Sequence, residues 1–141
     1  MSIDRDQIMS HYDLENVQVI EIGKPGLILG TPQKKYILRT LKYSSQMERI
    51  FYDQAFTDFL ASSGYPARRF VKNRDDRTVS NILGESCYVT EYFEGVLRPN
   101  IYTKLSNRQL MEAGKSLANL HLLSTNYAGP KRGIHYLLKN R

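Results

Sequence analysis

Hydrophobic and polar positions change rhythm several times along this chain, and each change marks an element. Residues 4 to 14 carry Ile8, Met9, Tyr12 and Leu14 at loose helical spacing, which predicts a short helix or turn. From Val17 to Leu41 the rhythm is that of strands: Val17-Gln18-Val19-Ile20-Glu21-Ile22, then Leu27-Ile28-Leu29, then Tyr36-Ile37-Leu38-Arg39-Thr40-Leu41. Gly23-Lys24-Pro25-Gly26 and Thr31-Pro32-Gln33-Lys34-Lys35 separate them with the Gly, Pro and polar residues that turns demand, so the three strands form a meander. Residues 45 to 61 switch to helical period. Met47, Ile50, Phe51, Ala55, Phe56, Phe59 and Leu60 make a broad apolar stripe that is expected to pack on the sheet. Ser62-Ser63-Gly64 ends this helix, and Pro66 is a stop signal just beyond.

Short strands are then predicted through Phe70-Val71, Thr78 to Leu83 and Cys87 to Tyr92, with a polar turn at Asn73-Arg74-Asp75-Asp76-Arg77 and a tight connection at Gly84-Glu85-Ser86. Phe93 to Pro99 reads as a connector. Ser106-Asn107-Arg108-Gln109 is a capping box and opens a helix to about Leu123. Leu110, Ala113, Gly114, Leu117, Leu120 and His121 share one face of it. The class is α+β, an antiparallel sheet of about five strands packed on one helix, followed by a connector and a further helix.

Composition narrows the partners. With 41% hydrophobic and 24% charged residues the 141-residue chain is ordinary globular material, so disorder is not expected. No apolar run is long enough to span a bilayer and no signal-peptide series opens the chain, which predicts a soluble, cytoplasmic protein. Cys87 is the sole cysteine, excluding an internal disulfide and a cysteine zinc cluster. A net charge of +6 favours an anionic partner, and the basic residues are scattered as Lys34-Lys35, Arg68-Arg69, Lys72, Arg74 and Lys131-Arg132.

Among residues that could carry chemistry, Arg39 shares a strand face with Ile37 and Leu41, where a charge is costly unless paired or presented to a ligand. Asp53 falls within about 20° of Leu60 on the helical wheel and is the candidate partner. His11 and His135 are isolated, His121 suits a structural role, and Asp75-Asp76 belongs to a polar turn.

Phe59-Leu60-Ala61-Ser62-Ser63-Gly64-Tyr65-Pro66, Tyr36-Ile37-Leu38-Arg39, Val89-Thr90-Glu91-Tyr92-Phe93-Glu94-Gly95 and Leu117-Ala118-Asn119-Leu120-His121 together resemble the aminoglycoside phosphotransferase and choline kinase superfamily, especially its homoserine-kinase and spore-coat-protein-like branches. The resemblance spans about residues 12 to 123. It implies a protein-kinase-like small lobe over residues 1–93, a hinge or connector over 94–105, and the start of a large lobe over 106–141. It further implies an ATP site. Arg39 would bind the phosphates in place of the family's usual Lys, and Asp53 would stand where Glu is usual. Glu91 and Phe93 would meet the adenine edge through a C=O and an N–H, and the loop of Gly23, Lys24 and Gly26 would cover the phosphates.

What the family needs for phosphoryl transfer, an Asp that orients the acceptor and an Asn and Asp that hold magnesium, would follow the helix of His121 in a His-Gly-Asp loop. Asn126 to Arg141 supplies none of them. The expectation is thus the nucleotide-binding part of an ATP-dependent phosphotransferase acting on a small-molecule hydroxyl, inactive alone, with magnesium ligands in a missing lobe and an apolar face over residues 106–123 that self-associates. A non-catalytic basic module for RNA or an acidic protein is the competing expectation.

Overall fold

The computed structural model describes residues 3–23, 26–43, 45–93 and 104–131. Helix α1 (Arg5–His11) precedes strands β1 (Gln18–Gly23), β2 (Gly26–Gly30) and β3 (Lys35–Thr40), which form the expected meander. Helix α2 (Ser45–Ser62) follows, then β4 (Phe70–Val71), β5 (Val79–Ile82), β6 (Glu85–Glu91) and α3 (Asn107–Thr125). The fold is α+β, and all the strand pairs are antiparallel. The order across the sheet is β1-β2-β3-β6-β4, with β5 also on β6. β4 and β5 share one edge of β6, the first pairing with Val89 and Thr90 and the second with Glu85 to Tyr88. The tight turn before β6 lies one residue earlier than expected, at Leu83-Gly84, because Asn81 Oδ1 accepts from the Gly84 N–H and Glu85 is already in the ladder.

The two faces of the sheet are occupied differently. On one face Leu29, Leu38, Val89, Cys87 and Ile82 pack with Ile8, Tyr12, Leu14 and Val17 into a continuous core. The short helix expected near the N-terminus is thus a principal buttress. Asp4 and Gln7 cap α1 reciprocally, and Tyr12 Oη accepts a hydrogen bond from Ser80 Oγ at 2.9 Å in the centre of the core. Arg74 donates to the Met9 carbonyl, tying the β4–β5 turn to the same helix.

On the other face α2 covers less than its apolar stripe implies. Ile50 and Leu60 are buried, but Met47 and Phe51 are exposed at 46% and 58%. The side of α2 that lines the space above the sheet is Gln46, Arg49, Ile50, Asp53, Phe56 and Thr57. Those positions follow helical spacing and four of the six are polar, so the helix stands over the sheet and leaves a cleft instead of sealing a second core. The carboxyl end of α2 closes as read from the sequence: Gly64 takes φ +82°, and the Tyr65 N–H returns to the Leu60 carbonyl.

Helix α3 has the expected Ser106–Gln109 capping box, yet none of its residues is buried. Just past the end of α2, Tyr65 Oη lies 3.0 Å from Ser116 Oγ of α3, and just past the end of α3 the Tyr127 ring lies against Phe56 and Phe59 of α2. His121, expected in a structural role, is exposed to water instead. No helix of the described residues is long and apolar enough to cross a membrane.

Candidate functional site

The cleft between β3, β6 and α2 has a volume of about 810 Å³. Arg39 rises from its floor because the β3 register places it opposite Tyr88, while Leu38 and Val89 turn to the core on the far side. Its Nε is buried and has no hydrogen-bond partner among the described residues. An orphaned donor of this kind is costly in a folded protein, and its presence beside an open cavity points to an acceptor that arrives from outside.

Gly26 stands against the same arginine. It has φ +137°, and a Cβ there would lie 2.1 Å from the Leu38 carbonyl oxygen and 3.3 Å from Arg39 Cγ. The start of β2 therefore approaches β3 as closely as backbone can, beside the arginine. Gly23 pairs with Gly26 at the foot of the β1–β2 turn, and Lys24 lies outside the described residues.

Asp53 projects from α2 into the same cleft. Asp53 forms an ion pair with Arg49, one turn earlier, at 3.5 Å. Arg39 and Asp53 both line this cleft. Further cations line it, Lys42 and Arg68 with Arg49, against Asp53 and Glu85. Sequence reasoning passed over these three. Arg49 could have been found as the residue four positions before Asp53 on a helix, the spacing at which opposite charges meet.

Glu91 and Phe93 line a separate hollow at the end of β6, with Lys34, Lys35, Pro66 and Tyr92. The Glu91 carboxylate accepts from Lys34 Nζ at 2.9 Å, which pushes the lysine pKa up. The Glu91 and Tyr92 N–H groups are spent on the Arg69 and Lys35 carbonyls. Thr90, next to Glu91, belongs to the arginine cleft, so the two hollows flank the last turn of β6. Arg68 joins them, lining the cleft while its guanidinium lies 5.8 Å over the Tyr92 ring. Residues 94–103 of the connector lie outside the described residues. Among the described residues, no group of three His, Cys, Asp or Glu side chains could hold a metal ion.

No family model matches the sequence. The chain is similar to homoserine kinase of Caulobacter vibrioides, 29% identical over 108 residues, covering 77% of this chain and 33% of that protein. It is also similar to homoserine kinase of Caulobacter sp. strain K31, 26% identical over 108 residues, covering 75% of this chain and 32% of that protein. The chain thus spans about a third of the length of the curated relatives it matches.

Proposed function

We propose that this chain is the nucleotide-binding part of an ATP-dependent phosphotransferase that acts on a small-molecule hydroxyl. The observation that carries the reading is Arg39: a guanidinium whose buried Nε has no hydrogen-bond partner among the described residues, on the floor of a cleft where Gly26 brings the start of β2 close. Phosphate oxygens are the acceptors that suit it, because Arg offers planar, paired donors. In this reading Arg39 orients the phosphates, and the Gly23–Gly26 turn screens them from water. Asp53, with Arg49, sets the charge of the facing wall, while Glu91 and Phe93 hold the base at the end of β6. Bound ATP supplies the phosphoryl group. The name shared by the matched relatives makes homoserine the first acceptor to try. Magnesium ligands and the acceptor-orienting base are assigned to a part of the protein other than the described residues.

The test is equilibrium binding of ATP to the purified chain. Saturable binding that Arg39→Ala abolishes, with a matching loss of thermal stabilisation by ATP, is the expected result. No ATP binding, together with RNA binding that falls steeply with salt, would replace this reading with that of a basic binding module.

A further inference from the structure

The cations of the cleft are strung along it in an order that the ladders fix. Arg68 marks one end, where Phe70 pairs with Thr90 and the guanidinium lies against Tyr92. Arg39 comes next, opposite Tyr88. Lys42 marks the other end, since the Leu41 N–H donates to the Ser86 carbonyl at 2.8 Å and holds the chain beside the start of β6. Arg49 belongs to that end too, because the Lys42 N–H donates to Gln46 Oε1 at 2.8 Å and Arg49 follows Gln46 by one helical turn. At roughly 3.3 Å per strand residue, Glu85 and Thr90 are about 16 Å apart. One phosphate group cannot span that length, whereas a base followed by a chain of phosphates can.

We infer that Lys42 and Arg49 bind the terminal phosphate of the nucleotide and make this end of the cleft the determinant of phosphate-chain length. The inference rests on the reading above, in which the phosphates lie at Arg39 and the base at the Thr90 end. Four cations against two carboxylates leave the cleft lining with a positive excess. Arg49, 63% exposed at its side chain, is held beside the cleft by its ion pair with Asp53, and a guanidinium presents its N–H donors in a fork that suits phosphate oxygens. Arg68, at the opposite end, then serves base and ribose and treats all nucleotides of one base alike.

The experiment measures the affinity of the full chain for AMP, ADP and ATP at fixed magnesium and ionic strength. It compares the native sequence with Lys42→Gln/Arg49→Gln and with Arg68→Gln. The double variant is expected to lose about tenfold or more in ATP affinity while AMP stays within about twofold, and Arg68→Gln to weaken all three by a common factor. If the double variant fails to fold, Lys42→Gln alone carries the comparison. An unchanged ATP-to-AMP ratio in a folded variant that still binds ATP overturns this inference and leaves the nucleotide reading intact. Inorganic triphosphate held through Lys42 and Arg49 without any binding of ATP supports the cationic end and overturns the nucleotide reading. Binding of neither overturns both.

Discussion

At Arg39 the guanidinium Nε is withdrawn from water without an acceptor among the described residues, and such a donor costs about 1–3 kcal/mol. Replacing it by an apolar chain of similar length removes that cost and also removes the group offered to phosphate. Arg39→Met is therefore expected to leave stability unchanged or raise it by about 1 kcal/mol in denaturant unfolding, while ATP binding is lost. A clear destabilisation would show that the arginine is satisfied within the protein. Gly26 is the opposite case. Its Cβ position is already filled by the Leu38 carbonyl and its φ is +137°, so Gly26→Ala is expected to cost about 1–3 kcal/mol in the same assay and to weaken ATP binding by pushing the start of β2 away from Arg39. The sequence revealed Arg39 and Asp53 as cleft residues because alternation along a strand and rotation around a helix can be counted. It did not reveal Lys42, Arg49 and Arg68, since their convergence depends on how far α2 stands from the sheet.

Elements α1 and α3 contrast in what they contribute. α1 looks slight in sequence, and its weight in the core follows from Tyr12 and Val17, which are completely buried just past its end. Burial pushes Tyr12 from 10.0 up to about 12, and Cys87 beneath it from 9.0 up to about 11. The unfolded chain would release both protons first. Their contribution to stability is therefore complete below about pH 9 and is lost as pH rises through the folded values toward about 12. Urea unfolding at stepped pH should show this alkaline decline, and Cys87→Ala should flatten its first part. An identical slope in the variant would contradict the assignment.

α3 is well capped, but no residue on it is buried, and Leu110, Leu117 and Leu122 are more than half exposed. Its amides should exchange with deuterium well ahead of those in β3 and β6. Protection equal to that of the sheet would contradict the exposed placement. The capping box was legible because it is local. The open apolar face with Leu110 and Leu117 was expected as well, but the solvent-facing position of His121 was not, because a helical stripe shows that a face is apolar but not that anything lies against it.

For the whole molecule, the α+β class, the meander and the antiparallel sheet were readable from turn residues and period alone. Which side of the sheet holds the main core was not, since Ile37 and Leu38 are equally apolar neighbours and both are buried, one on each face. The open cleft follows from that division: a short helix fills one side tightly, and a partly polar helix stands off the other. The central claim is that this opening, and not the scattered basic surface, receives a nucleotide. Amide and arginine side-chain NMR shifts recorded during titration with ATP test it most directly. The account predicts saturable changes concentrated at Gly26, Arg39, Arg49, Thr90 and Phe93, with the Arg39 Nε–H signal moving most. Changes spread over Lys72, Arg74 and α3 with Arg39 unmoved, or no saturation at all, would contradict it.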